Sequence, residues 1–348
     1  MPTTYLYTHR PIYPTPLPTF RVQLQVSMVN PAIELILWTN AQRAPLAEQI
    51  INQLAGRVTF LAIGGERQPA VTDLARNHDL PFDDDLRKLM IEHPPAGLLL
   101  LATDEVGIKD LESAAQSQMM IHTIAPVTSS IPHVSPTTVH CGLLPRFNQC
   151  AGWAQAADPL SSLGKLDQIH FTNIGPQTDA TLFAQLVDSW EHLLSMSEMP
   201  TDVDAVLSSP QAIPESLEKI TGHLCIQARL ANGGCIQMTL SDRAAMSRRQ
   251  MMLFGDEGQI IVTDTSYELY QPDGTIIDNW DGGTDIPSYA QLISDSWYNA
   301  LTNPYAQAVD EALVIKRRKA ALGCAHACLI SARTGESETP GRVLELQV

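Results

Sequence analysis

Gln185, Asp188 and His192 recur at three- and four-residue spacing within Leu182 to Leu193. A helix would set them on one polar face, with Leu182, Leu186, Trp190 and Leu193 on the apolar one. An imidazole one turn from a carboxylate can act as a general acid or base near working pH, so Asp188 and His192 are the candidate catalytic pair. The same pattern also suits an ordinary solvated helix face. Arg248-Arg249 offers two adjacent cations, fit for an anionic substrate or for the charged start of a surface strand. Cys324-Ala-His-Ala-Cys328 is the one crowded spot of metal-ligand residue types. On a helix the two thiols share a face while His326 points elsewhere, so a metal would need ligands from afar; small buried residues in a packing helix fit as well, and no metal is expected.

The elements that must position these residues follow from length and pattern. A chain of 348 residues exceeds one ordinary core, which favours two domains. With 44% apolar and 17% charged residues it is globular, and a net charge of -16 argues against nucleic-acid and anionic-membrane partners. No run reaches about 18 apolar residues, and the N-terminus lacks the apolar core of a secretory signal, so a cytoplasmic protein is expected. Six cysteines are too sparse for a disulfide scaffold. A two-residue hairpin loop at Asn232-Gly233 would set Cys225 opposite Leu240, away from Cys235.

Residues 1–31 read as an added arm, in which Phe20, Val22, Leu24, Val26 and Met28 alternate with strand period. It is expected to pair with a sheet edge or a partner chain. From Ile33 a βαβ rhythm begins: IELILW, a helix over APLAEQIINQLAG, the strand VTFLAIG, helices over PAVTDLARNHD and DDDLRKLMIEH, the apolar strand AGLLLLAT, and MMIHTIAP after DLESAAQSQ. Such alternation predicts a doubly wound parallel sheet over 32–130. The Pro- and Ser-rich run Val127 to Pro145 reads as a crossing into a second domain, 131–348. There a helix near 180–196, the strand DVDAVLSS, the hairpin HLCIQARLANGGCIQMTLS and long helices near 289–301 and 309–334 predict an α+β half.

Arg248 to Gly274, RRQMMLFGDEGQIIVTDTSYELYQPDG, holds two apolar strands meeting at Gly-Asp-Glu-Gly and two more at Pro-Asp-Gly. With Ser161-Ser162-Leu163-Gly164-Lys165-Leu166 before a strand and Leu230-Ala231-Asn232-Gly233-Gly234 in a hairpin, it resembles the C-terminal sheet of the Gfo/Idh/MocA oxidoreductases. The likeness spans roughly Ile33 to Arg333. It implies a Rossmann-type doubly wound parallel sheet followed by a C-terminal domain with an open, mostly antiparallel sheet. It also implies NAD or NADP as cofactor, a sugar- or polyol-like ligand, and a dimer or tetramer formed through the C-terminal sheet. The apolar excess on strands Leu224 to Arg229, Ile236 to Leu240, Met251 to Phe254 and Ile260 to Thr263 points to the same buried second face.

Against that pattern the cofactor and catalytic motifs depart. The family's G-x-G-x-x-G/A turn reads Trp38-Thr39-Asn40-Ala41-Gln42-Arg43-Ala44, with Thr39 and Ala41 where glycines admit the pyrophosphate. Thr39, Asn40 and Arg43 remain candidate phosphate donors. Past the second strand Gly64-Gly65-Glu66-Arg67 offers Glu66 for ribose hydroxyls or Arg67 for a 2'-phosphate, so NAD and NADP are not separated. The fourth strand ends Ala102-Thr103-Asp104-Glu105, leaving Thr103 as a candidate contact beside two carboxylates hostile to a pyrophosphate, with Ile108 at the family's histidine place. Val127 stands at the family's lysine position, and no lysine lies between Lys109 and Lys165. Asp188 falls near the family's catalytic histidine and Glu191 near its aspartate.

Cofactor binding is therefore expected to be weak or absent, and the chain to be a non-catalytic binding, regulatory or assembly subunit. The alternatives are an active NAD(P)-dependent oxidoreductase using Asp188 and His192, and a small-ligand sensor.

Overall fold

The computed structural model describes residues 33–103, 106–283, 286–303 and 310–346; the Phe20 to Met28 segment, Asp104 and Glu105 lie outside them. The first half runs β1 (Ile33–Trp38), α1 (Ala44–Leu54), β2 (Val58–Gly64), α2 (Pro69–Asn77), β3 (Phe82–Asp83), α3 (Leu86–Glu92), β4 (Gly97–Leu100), α4 (Ile108–Gln116), β5 (Met120–Thr123), α5 (Pro136–His140) and β6 (Gly142–Leu143). All six strands pair in parallel in the order β3-β2-β1-β4-β5-β6, so the sheet switches direction between β1 and β4. Both faces are covered, which is why β4 and the Leu35 to Trp38 stretch of β1 are continuously apolar. Leu35, Leu37 and Leu99 pack against Ile50, Leu54 and Val71 on one side. Ile36, Trp38, Leu98 and Leu100 meet Leu89 and Leu111 on the other.

Two stretches differ from the sequence expectation. Asp83 to His93 is not one helix: Phe82–Asp83 pairs with β2, and α3 starts only after Asp85. The Asp85 carboxylate caps it, accepting from the Arg87 and Lys88 N–H groups at 3.0 and 3.2 Å. The Val127 to Pro145 run carries α5 and β6, and β6 extends the first sheet through His122↔Gly142 and Thr123↔Leu143.

The second half holds α6 (Ala151–Leu160), β7 (Leu166–Pro176), α7 (Leu182–Leu193), β8 (Asp202–Ser208), β9 (His223–Arg229), β10 (Cys235–Ser241), β11 (Arg243–Gly255), β12 (Gly258–Thr263), β13 (Ser266–Tyr270), β14 (Ile276–Asp281), α8 (Tyr289–Thr302), α9 (Glu311–Thr334) and α10 (Pro340–Leu346). Its eight strands run in the order β14-β13-β12-β11-β7-β10-β9-β8, antiparallel except for β7 beside β10. Residues of α6, α7 and α9 share one core with the sheet's inner face. Helix α8 instead returns to the first half, where Ile293 and Trp297 join its core.

In the β9–β10 hairpin Cys225 faces Thr239, one residue off the expected register. The reason is a five-residue loop, Leu230 to Gly234, closed by the Leu230 N–H on the Gly234 carbonyl at 2.8 Å. All six cysteines are free thiols. On β9 the apolar residues Leu224, Ile226 and Ala228 all lie on the covered face, and Cys225, Gln227 and Arg229 are exposed. The apolar excess on the outer face comes from the central strands, as half-buried Ile174, Met252, Phe254 and Ile261. No described helix is long and apolar enough to cross a membrane.

Candidate functional site

The turn after β1 is held by its own hydrogen bonds. Thr39 is fully buried; its N–H donates to the Gly64 carbonyl (2.9 Å) and its hydroxyl to the Asn40 carbonyl (3.4 Å). Asn40 Oδ1 accepts from the Arg43 N–H at 3.0 Å. Buried Arg43 donates Nη1 to the carbonyls of Thr178 and Asp179, the latter at 2.9 Å, in the loop between β7 and α7. It thereby ties the turn to the second half. Gly65, at φ +144°, lies so close beneath that a Cβ there would stand 1.7 Å from the Thr39 carbonyl oxygen. The glycine is needed for packing one strand-end turn on the other.

The Glu66 and Arg67 side chains are also engaged. Glu66 accepts from Gln68, and exposed Arg67 pairs with Asp84 at 3.0 Å. The Thr103 carbonyl accepts from the Val106 N–H at 3.3 Å. Val127 packs against the core cluster that contains Trp38 and Leu100.

A different arrangement lies where the carboxyl ends of β5 and β6 meet α7. A cleft of about 30 Å³ opens there, with Ile124 and Pro145 as apolar walls and Asn173, Asp188, Arg249 and Tyr289 as polar ones. That space holds about two or three waters. Arg249 forms its floor. The guanidinium donates from Nε and Nη2 to Asp264 (3.0 and 2.6 Å) and from Nη1 to the Pro145 carbonyl (2.7 Å), 5.6 Å from the Phe147 ring centre. Burial opposes its charge, but Asp264 outweighs that and raises its pKa. The reading of both arginines as the start of a surface strand thus fails for Arg249, since it faces the covered side; Arg248 is exposed and bonds Gln250 at 2.7 Å.

Gln185 fixes α7 on β10, donating to the Ser241 carbonyl (3.0 Å) and accepting from the Ser241 N–H (3.1 Å). One turn on, half-buried Asp188 turns its carboxylate to the cleft. Asp188, the buried Asn173 side chain and the Tyr289 hydroxyl have no hydrogen bond or ion pair with any described residue. Burial pushes the Asp188 carboxyl up to about 6, with Glu191 adding and Arg249, Arg146 and Arg318 pulling back. Tyr289 is raised too, first by burial and then by Asp188 and Asp179, so it keeps its proton.

The Asp188–His192 pair is not brought together. His192 is 3% exposed in a box of Trp153, Phe147 and Phe171 rings, at 4.4, 5.4 and 6.1 Å between ring centres. Neither ring nitrogen has a hydrogen-bond partner, and burial, with Arg249 and Arg317, pushes its pKa down to about 3. The solvated-face reading of α7 is overturned: apart from Asp188 every residue of the helix is buried, because α9 packs against it opposite the sheet. Glu191 bonds Arg318 and lies 3.9 Å from Arg146; burial opposes its ionisation, but those cations hold its pKa below the usual range. Cys324 and Cys328 are fully buried in α9, His326 bonds the Ser129 carbonyl at 2.9 Å, and no three metal-ligating side chains are grouped among the described residues.

Asn173 and Tyr289 were not found from the sequence. A signal for Asn173 existed: it shares the inward phase of β7 with Ile169 and Phe171, and opposite it Arg249 shares the inward phase of β11 with Met251 and Leu253. Polar residues at core-facing positions of adjacent strands mark a site.

By sequence, no family model and no curated protein matches the chain. Solved structures do. A myo-inositol dehydrogenase from Corynebacterium glutamicum superposes with TM-score 0.62 at 13% identity, over 88% of this chain and 98% of that one. An oxidoreductase from Agrobacterium radiobacter, in complex with NAD+, L-tartaric acid and magnesium, gives 0.66 at 12%, over 90% and 99%. GenD2 from gentamicin A biosynthesis, in complex with NAD, gives 0.65 at 12%, over 91% and 99%. At these identities the likeness shows the fold.

Proposed function

We propose that this chain, which has the fold of the Gfo/Idh/MocA-type dehydrogenases, does not pass hydride to or from NAD(P) and works as a binding or regulatory subunit. Its cleft holds a small polar molecule. One contrast carries the reading. In the turn that would seat a dinucleotide the Thr39, Asn40 and Arg43 side chains are bonded to protein, whereas three polar side chains of the cleft are not. Buried polar groups without protein partners are uncommon and call for a water or a ligand.

The residues present do not fit a dinucleotide. Thr39 and Ala41 carry side chains where backbone must approach a pyrophosphate, and the Arg43 guanidinium is committed to two carbonyls. Val127 has no proton to give a reacting oxygen. Millimolar NAD or NADP is expected to leave the melting temperature unmoved. A ligand at about 100 times its dissociation constant stabilises by about 2.7 kcal/mol, which a melting curve shows plainly, so a clear upward shift with either nucleotide overturns this reading.

The same reading pairs two copies through the outer face of the second sheet, where Met252, Phe254 and Ile261 stand together on adjacent strands. Light scattering at micromolar concentration is expected to give a dimer or larger; a monomer sinks it.

A further inference from the structure

The cleft holds more than a binding site needs. Asp188 presents an acceptor, Tyr289 a hydroxyl that keeps its proton, and Asn173, 6% exposed, an amide, and none of the three is satisfied within the protein. They come from three separate elements, α7, α8 and β7, on one small space. Arg249 beneath them is a cation already neutralised by Asp264, so the cleft has no uncommitted positive charge for a phosphate or carboxylate. The volume, about 30 Å³, corresponds to about two or three waters displaced, roughly a three-carbon molecule. Size and charge together select a small neutral compound. Its groups must donate to Asp188 and accept from Tyr289 and Asn173.

We propose, resting on the reading of the cleft as a ligand site, that it moves a proton without a cofactor: Asp188 takes the proton from the carbon beside the carbonyl of a neutral three-carbon 2-hydroxy carbonyl compound, while Tyr289 and Asn173 donate hydrogen bonds to the carbonyl oxygen. The C–H bond breaks and an O–H bond forms on Asp188. The C–H electron pair becomes the C=C bond of an enediol, and the charge reaching the oxygen is met by the Tyr289 hydroxyl and the Asn173 amide. Return of the proton to the same carbon restores the substrate or inverts that carbon; return to the neighbouring one, with the hydroxyl proton of the first carbon passing to the former carbonyl oxygen, gives the isomeric carbonyl compound. Nothing is oxidised or reduced overall, so the step needs no second reactant.

The environment of Asp188 suits the role. A carboxyl pushed up to about 6 is ionised at neutral pH yet a stronger base than an exposed aspartate. Burial sets this first, against the pull of Arg249 on β11, Arg146 after β6 and Arg318 on α9, with Glu191 on α7 itself adding to it.

The test is proton NMR of dihydroxyacetone and of glyceraldehyde in D2O with the full chain, following loss of the signal of the hydrogen next to the carbonyl. The wild-type chain is expected to exchange it at least about 100-fold faster than Asp188→Asn, with Tyr289→Phe intermediate and the rate rising as pH passes about 6. Melting curves of both variants, unchanged or raised, show that the fold is intact, and Asp188→Glu, which keeps the base, is expected to recover part of the rate. Exchange no faster than buffer with both probes overturns the proposal, and so does an equal rate in Asp188→Asn. Saturation-transfer signals from the probes without exchange overturn the proton transfer and leave the binding reading standing. A nucleotide-induced melting shift strikes that reading itself.

Discussion

The nucleotide turn and the cleft lie on the same carboxyl end of the first sheet, yet they treat polar groups in opposite ways. At the turn, Thr39, Asn40 and Arg43 spend their hydrogen bonds on Gly64, on each other and on the carbonyls of Thr178 and Asp179. In the cleft, Asn173, Asp188 and Tyr289 leave theirs open. A self-satisfied turn adds stability and asks for no ligand, whereas an unsatisfied cluster costs stability and is kept where a ligand repays it. The difference separates a scaffold feature from a working one without reference to any relative's activity.

His192 sharpens the comparison, because it is unpartnered but walled off from solvent by Phe147, Trp153 and Phe171. Its folded-state pKa is about 3 against an ordinary value of 6.5. Between these values the unfolded chain binds more protons, so stability from this residue is present above about pH 6.5 and is lost as pH falls toward 3. At about 1.4 kcal/mol per unit, the loss by pH 4 is about 3 kcal/mol. His192→Phe, which suits the ring box, is therefore expected to gain about 3 kcal/mol on wild type between pH 7 and pH 4 in urea unfolding. A constant difference between the two proteins across that range places His192 in contact with water or a partner.

Arg43 tests the other side. Its guanidinium bonds two carbonyls from a nearly buried position, and hydrogen bonds to charged groups contribute about 1.5–3 kcal/mol. Arg43→Ala is expected to cost about 2 kcal/mol and to give no nucleotide binding in return. A variant as stable as wild type removes the claim that the turn is held by its own bonds.

How much of this was legible in the sequence depends on the range of the interactions. β1, α1 and β2 were read nearly to the residue, because local periodicity and the Pro and Gly signals carry them. The α3 start was displaced by a side-chain cap and the β9–β10 register by loop length, both local effects with weak sequence signals. The cleft was half legible. Asp188 was singled out on helix spacing, but its proposed partner His192 is enclosed by Phe147, Trp153 and Phe171, rings that α6, β7 and the segment before α6 bring together only in the folded chain. Tyr289 reaches the cleft only because α8 returns to the first half, which nothing in its own segment announces.

The smallest expected effect is the most direct reading of an unsatisfied group. The Asp188 carboxyl is ionised in the unfolded chain from about pH 4 but in the folded one only from about pH 6, so between these values the folded state binds more protons and stability falls as pH rises. Above the window the folded chain carries a partly buried carboxylate with no hydrogen bond, opposed by Glu191 and only partly compensated by Arg249, Arg146 and Arg318. Asn at this position has nearly the same shape and no charge. Asp188→Asn is therefore expected to be more stable than wild type by about 1 kcal/mol near pH 8, after allowance for its exposure to the cleft, and no more stable near pH 4, where the wild-type carboxyl is already protonated. A gain in stability bought with the loss of proton exchange is the signature of a group kept for a ligand. If Asp188→Asn is destabilised at pH 8, the carboxylate has a structural partner in solution, and the contrast between turn and cleft disappears.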